Sequence, residues 1–254
     1  MDLGIKGRKA IVCASSRGLG KGCALALAEA GCDVVVNGRD KAVLAATARE
    51  LRKLDVLVTE VPGDVSDPGC QKELLAACPA PDILVNNNAG PPARDFRQLD
   101  RAAILQGVTQ NMITPIELIQ AVVDGMAERG FGRIVNITSL SVYVPISGLD
   151  LSSGARAGLT SFLAGIARSV AHRNVTVNNL LPGKLDTDRL RALGRGSGGS
   201  EEERKASLAA GIPARRLGTP EEFGKICAFL CSVHAGYLTG QNIPVDGGLY
   251  PSAF

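Results

Sequence analysis

The first stretch of the chain able to do chemistry reads Cys13-Ala14-Ser15-Ser16-Arg17-Gly18-Leu19-Gly20, directly after a short apolar run. Glycines at this spacing let the backbone turn tightly out of a strand into a helix. The N–H groups at the helix start can then approach a diphosphate. Ser15, Ser16, Arg17, Gly18, Leu19 and Gly20 are therefore the expected anion-cradling residues. The motif alone is unspecific, and its place in the first strand–helix unit gives it weight. Metal chemistry is not expected: His172 and His234 stand alone, and Cys227 and Cys231, one helical turn apart, have no His or acid at ligand spacing. The seven cysteines are odd in number and lie mostly within apparent strands and helices, which reads as packed, reduced thiols.

These residues need elements to hold them, and the hydrophobic pattern supplies a regular series. Short apolar runs at Lys9–Ala14, Asp33–Asn37, Val56–Val61, Ile83–Asn86, Arg133–Thr138, Val175–Leu180 and Asn242–Val245 predict strands. Amphipathic segments at Gly18–Ala30, Lys41–Lys53, Pro68–Ala77, Arg101–Glu128, Leu151–His172 and Pro220–Ser232 predict helices. Alternation of this kind predicts one α/β domain over residues 1–254, Rossmann-like and doubly wound, with a seven-stranded parallel sheet covered on both faces. The tract 189–218 interrupts the pattern. It holds Arg195-Gly-Ser-Gly-Gly-Ser200 and a charged helical stretch Glu201–Ala210, and is expected to act as a substrate-binding lid.

Composition narrows the function classes. The 254 residues are 45% hydrophobic and 21% charged, with a net charge of +3 and acids and bases interleaved. There is no Trp, and Tyr and Phe number three and six, so a basic, aromatic-studded nucleic-acid surface is not expected. No apolar run reaches the length of a membrane span and no signal peptide opens the chain, which predicts a cytoplasmic protein with no membrane partner.

At this point the chain resembles the short-chain dehydrogenase/reductases, and among them the branch around 3-oxoacyl-(acyl-carrier-protein) reductases. Besides the glycine loop, the resemblance is carried by Asp64-Val65, Asn87-Asn88-Ala89-Gly90, the stretch Asn178 to Asp188 with Pro182, Gly183 and Thr187, and Tyr237-Leu-Thr-Gly-Gln241 through Asp246-Gly-Gly248. It implies that Asp64 and Val65 contact an adenine, and that Asn88, Ala89, Gly90, Pro182, Gly183 and Thr187 line a nicotinamide cofactor. It also implies a homo-oligomer, dimer or tetramer. The long fourth and fifth helices and the tail Leu249–Phe254 would form its contacts. Ala155, Gly158, Ala164 and Gly165 would permit close helix approach there, or pack within the subunit.

NAD enzymes usually hold the ribose 2′-hydroxyl with an acid after the second strand. Here that place reads Asn37-Gly38-Arg39, with Arg17 nearby and Asp40 placed to cap the next helix. Two guanidinium groups suit a 2′-phosphate, so NADP(H) is expected over NAD(H). Cys13-Ala14 departs from the Thr-Gly usual in the family. The methyl of Ala14 restricts the turn.

By resemblance Ser139 matches the catalytic serine, with Ser141 a less suitable substitute, and Asn111 matches the residue of the proton relay. The positions of the family's Tyr and Lys hold Ser152 and Arg156. A serine is a far weaker acid than a phenol, whose pKa is about 10, and Arg stays protonated. Ser152, Arg156, Leu159, Leu163, Ile166 and Val170 recur at helical spacing, which aims Arg156 at the cofactor cleft. Tyr143, four residues after Ser139, is a possible substitute acid or a pocket residue. Pro115 cannot donate to the Asn111 carbonyl in a regular helix.

These observations lead to an NADP(H)-dependent oxidoreductase acting on a carbonyl or alcohol with a non-standard proton donor. The alternatives are a non-redox enzyme on the same fold, or a catalytically weak NADP(H)-binding regulatory subunit. Halohydrin dehalogenases resemble the former in having Arg at the Lys position, but they keep the Tyr and lose the glycine loop. Arg94, Arg189 and Arg191 hint at an anionic substrate or are solvated surface.

Overall fold

A computed structural model describes residues 1–193 and 200–252. Most of the predicted flexible tract (194–199) and the last two residues of the C-terminal tail lie outside them. Seven strands, β1 (Lys9–Val12), β2 (Asp33–Gly38), β3 (Val58–Pro62), β4 (Ile83–Asn86), β5 (Gly132–Ile137), β6 (Val175–Pro182) and β7 (Asn242–Val245), form one sheet in the order β3-β2-β1-β4-β5-β6-β7. Every pairing is parallel. The order reverses between β1 and β4. Loops leaving those neighbouring strands diverge to opposite sides, which opens a crevice at their carboxyl ends.

Alternate residues of each strand feed two cores. On one face Val12, Val36, Val85 and Leu180 pack under α1 (Gly18–Glu29), α2 (Lys41–Leu51) and α9 (Pro220–Leu230). On the other, Ile11, Leu84, Ile134 and Val177 pack under α3 (Pro68–Ala77), α5 (Thr114–Glu128) and α6 (Asp150–Val170). Between α3 and α5 runs α4 (Arg101–Val108), and α7 (Asp188–Leu193) and α8 (Glu201–Ala210) lie between β6 and α9. α1 and α9 approach so closely that a side chain on Gly224 would strike the Gly22 carbonyl. All seven thiols are buried and free. Among the described residues, no helix is long and apolar enough to cross a membrane.

One predicted helix is reorganised. The segment 101–128 divides into α4, a π-helical turn at Thr109–Ile113, and α5, with the Thr114 N–H donating to the Thr109 carbonyl. Pro115 explains it: with no N–H and a ring that crowds the carbonyl four residues back, proline forces the turn to widen. Gly158 packs within the subunit, because a side chain there would meet Met112 Sδ at 3.0 Å, whereas Gly165 faces open space. Phe162 on α6 and Leu105 on α4 are exposed.

A row of asparagines joins the carboxyl ends of β4 and β5 to the middle of β6 and the start of β7. Asn86, Asn136, Asn179 and Asn242 are register partners along β4-β5-β6-β7. Asn86 Nδ2 donates to Asn136 Oδ1 at 2.9 Å, Asn136 Nδ2 to Asn179 Oδ1 at 3.0 Å, and Asn179 Nδ2 to Asn242 Oδ1 at 2.7 Å. Asn136→Ala breaks two of these bonds and leaves buried amide groups without partners. It should cost roughly 2–4 kcal/mol in urea unfolding. The first loop carries a different stress, since Ala14 has φ +44°. A left-handed alanine costs about 1 kcal/mol, so Ala14→Gly should raise the unfolding free energy by a similar amount in the same measurement.

Candidate functional site

The crevice at the β1/β4 divergence is a cleft of about 820 Å³. The first loop forms its floor on one side. The Ser15 hydroxyl is fully buried, donating to the Val12 carbonyl at 2.7 Å and accepting from the Asn37 N–H at 3.0 Å. Asn37 Oδ1 accepts from the strained Ala14 N–H at 3.1 Å, and Asn87 Nδ2 donates to the Ala14 carbonyl at 3.1 Å. The asparagines that end β2 and follow β4 thus clamp the loop from both sides. Gly20 is excluded from the lining by its job in packing: a side chain there would strike the Ala14 carbonyl. Ser15 and Gly20, expected to touch a ligand, instead shape the loop, whereas Ser16, Arg17, Gly18 and Leu19 line the cleft. Burial pushes the Cys13 thiol up to about 12, so it is no nucleophile at neutral pH.

The start of α1 is open to an anion. Its N-cap, Arg17, makes no side-chain cap bond, whereas α2, α3, α4, α8 and α9 are capped by Asp40, Asp67, Asp100, Ser200 and Thr219. The first N–H groups of an uncapped helix need an external acceptor. Gly18 has φ +57° and no close contact in the direction a side chain would take. Above it, Arg17 Nη2 lies 3.5 Å from Asp40 Oδ2 and Arg39 Nη1 lies 3.8 Å from Asp64 Oδ2, both at half-exposed or more exposed positions. Asp40 also caps α2 as expected.

The opposite end of the cleft holds the hydroxyls. Ser139 follows β5, and its Oγ accepts from the Ser141 N–H at 3.1 Å, leaving its proton free to point elsewhere. Ser152 and Arg156, one turn apart on α6, are both buried. Arg156 Nε donates to Ser152 Oγ at 3.2 Å, Nη1 to the Ile137 carbonyl at 2.6 Å and Nη2 to the Asn88 carbonyl at 3.5 Å. Burial, reinforced by the like charge of Arg189, pulls the guanidinium down to about 10, so it stays protonated at neutral pH. Ser152, Arg156, Leu159 and Leu163 are buried together, as their spacing predicts.

Asn111 is brought near this group without touching it through any bond. Its Nδ2 donates back to the Gly107 carbonyl at 3.2 Å. Behind Arg156, a polar cavity of about 10 Å³, close to the volume of one water, is lined by Asn86, Asn111, Thr114 and Asn136. Asn86 Oδ1, Asn111 Oδ1 and Thr114 Oγ1 are buried there with no protein partner. Tyr143 does not join the site. It is not among the cleft-lining residues, and its ring stacks on Tyr250 with centroids 5.0 Å apart. It caps the carboxyl end of a short helical turn at Leu140–Val142.

Asp64, Val65, Asn88, Ala89, Gly90, Pro182, Gly183 and Thr187 all line the cleft. So do Ile146, from the loop expected to supply pocket residues, Leu149, which sequence reasoning did not single out, Leu249, which it placed in an intersubunit contact, and Arg189, which it left undecided. Arg189 bridges the mouth: Nη1 donates to the Gly90 carbonyl at 2.8 Å and Nη2 to the Pro91 carbonyl at 3.2 Å. Arg191, by contrast, is spent on Asp186, Asp188 and Glu201.

Comparison with known proteins bears on this cleft. Residues 13–250 match the protein-family model described as enoyl-(acyl carrier protein) reductase. The chain is 32% identical over 253 residues to a 3-oxoacyl-(acyl-carrier-protein) reductase of Vibrio harveyi, covering 98% of this chain and 99% of that one. It is 32% identical to an acetoacetyl-CoA reductase of Allochromatium vinosum, covering 96% and 98%. Its fold superposes on L-sorbose reductase of Gluconobacter frateurii, solved in complex with NADPH and L-sorbose, with a TM-score of 0.92 at 29% identity over 99% of this chain and 100% of that one. The chain belongs to the short-chain dehydrogenase/reductase family of oxidoreductases.

Proposed function

We propose that the protein is an NADP(H)-dependent reductase or dehydrogenase of a small carbonyl or alcohol compound, in which Ser139, Ser152 and Arg156 replace a strong general acid. The observation that carries this reading is their convergence on one cleft with an uncapped helix start and two arginines beyond it. The relatives above, named as 3-oxoacyl-(acyl-carrier-protein) and acetoacetyl-CoA reductases, and the NADPH complex of the Gluconobacter enzyme support it.

The residues present fit the cofactor. The first turn of α1 has free donors for a diphosphate, and Arg17 and Arg39 are loosely paired with Asp40 and Asp64 and can turn to a 2′-phosphate. Asp64 and Val65 would flank the adenine; Asn88, Ala89, Gly90, Pro182, Gly183 and Thr187 would flank the nicotinamide half. When bound, the nicotinamide supplies or accepts hydride. The lid, carrying α7 and α8, would cover the substrate; Lys205 on α8 already holds Asp186 at 2.9 Å.

The protein's own part is to position the carbonyl and stabilise the oxygen on which charge develops. Ser139 and Ser152 each accept a hydrogen bond from within the protein, which frees each hydroxyl proton for the substrate oxygen. Arg156 adds a fixed positive charge in a dry setting, where such charge is most effective. Its pull substitutes for the acidity that serine lacks, and the final proton comes from water, with Asn111 and the small cavity behind Arg156 on its route. The exposed residues Leu105 and Phe162 lie on helices suited to pair with a second copy of the chain.

Ser139→Ala should lower NADPH oxidation by about 10²–10³-fold while leaving NADPH binding intact; undiminished turnover would remove Ser139 from the mechanism. NADPH oxidation over a carbonyl panel should be detectable in the wild type and nearly flat between about pH 6 and 9, because Arg156 does not titrate there. In the Ser152→Tyr/Arg156→Lys double variant a decline toward high pH should appear, as the phenol and ammonium lose their protons near pH 10. Turnover confined to the double variant would instead identify a redox-silent NADP(H)-binding protein. Arg39→Ala should weaken NADPH at least about tenfold while leaving NADH affinity unchanged, as read by fluorescence titration.

A further inference from the structure

The charged residues lining the cleft are unequally matched. Its carboxylates, Asp40, Asp64 and Asp188, pair with Arg17, Arg39 and Arg191 respectively. Lys184, Arg156 and Arg189 line the same cleft and, among the described residues, have no carboxylate partner; the two arginines are fixed in place by hydrogen bonds. All their bonds go to neutral oxygens: Ser152 Oγ and the Ile137 and Asn88 carbonyls for Arg156, the Gly90 and Pro91 carbonyls for Arg189. A guanidinium carries more donors than either set uses. The Arg189 charge is close enough to disfavour that of Arg156.

A buried arginine with neutral partners can be purely structural, and Arg133 is such a case. Its fork is taken up by the Ser232, Gly132 and Asn174 carbonyls and Asn174 Oδ1, its plane lies over Phe131, and it does not line this cleft. Arg156 and Arg189 differ in lining the cleft, and both reach the loop after β4, at Asn88 and at Gly90 and Pro91. Arg156 stands on its floor beside Ser152, and Arg189 reaches over its mouth from α7 to the loop after β4. Two like charges held at one loop of a cleft, neither paired with a carboxylate, favour an anion beside them.

Resting on the reading of the cleft as a reductase site, we infer that Arg156 and Arg189 form an oxoanion subsite, and that the substrate is a carbonyl compound bearing a carboxylate. Arginine forks match the planar, two-oxygen geometry of a carboxylate. The subsite lies at the hydroxyl end of the cleft, next to Ser152, away from Arg17 and Arg39. The neighbouring diphosphate of the cofactor is the other source of an oxoanion, and the test separates the two.

NADP⁺ is first titrated into wild-type protein and into Arg189→Gln and Arg189→Lys. Each NADP⁺-saturated protein is then titrated calorimetrically with 2-oxo and 3-oxo carboxylic acids, each beside its methyl ester. The oxidised cofactor prevents turnover, so binding alone is read. The expected result is that one or more acids bind the wild type at least about tenfold more tightly than their esters. Arg189→Gln should abolish that preference, Arg189→Lys should restore part of it, and NADP⁺ affinity should be the same in all three. Esters binding as tightly as acids, or no acid binding at all, would overturn the subsite. A loss of NADP⁺ affinity in Arg189→Gln with acid binding unchanged would assign Arg189 to the cofactor diphosphate and overturn it as well. Failure of the wild type to bind NADP⁺ would strike the reductase reading instead; the same acid titrations on the free protein would then decide the subsite separately.

Discussion

Four asparagine side chains, hydrogen-bonded in a row across β4, β5, β6 and β7, tie the ends of β4 and β5, from which much of the site is built, to the body of β6 and the start of β7. Asn87–Gly90 leaves the end of β4, Ser139 follows β5, and Pro182 and Gly183 close β6. A parallel sheet fixes strand spacing through slanted backbone bonds but tolerates sliding of its ends. In-register amides add a side-chain lock at the level where function begins. Each bond is worth only about 0.5–1.5 kcal/mol, but an unpaired buried amide costs more, so the row holds best as a unit.

The same preference for neutral partners governs the charge inside the cleft. Arg156 is buried without a carboxylate, and its protonated state is correspondingly disfavoured. Its folded value lies below the ordinary one, so this charge costs stability at neutral pH, and the cost is relieved only as pH rises above about 10. A fold retains such a charge at the floor of a cleft when something entering the cleft complements it. An oxygen becoming negative during carbonyl reduction does so transiently, and an anionic group on the ligand does so throughout. The strain of Ala14 belongs with this pattern: two asparagines and a buried serine hold a left-handed alanine in place, so the helix start behind it stays aimed at the cleft.

Much of this was legible in the chain itself. β-rich runs alternating with amphipathic segments give a parallel, doubly wound sheet because both faces must be covered and crossovers must be helical. The strands at Ile83–Asn86 and Asn242–Val245 and the helix at Pro68–Ala77 appear at their predicted limits. The glycine loop, the line from Ser152 to Leu163, and the capping role of Asp40 could be read from spacing, since each depends on neighbours within a few residues.

Contacts between distant segments could not be read that way. Whether Ser15 and Gly20 face a ligand or the loop interior depends on where Asn37 and the Ala14 carbonyl lie in space. Tyr143 is drawn off by Tyr250, more than a hundred residues away in sequence. The widening of the helix at Thr109–Ile113 follows from Pro115, but only packing decided that a π turn rather than a kink absorbs it. The pairing of Arg191 with acids, and of Arg189 with none, separates two arginines that look alike in sequence. Local order follows from residue type and period; which charges meet and which are left facing a cleft is decided only when the sheet brings remote loops together.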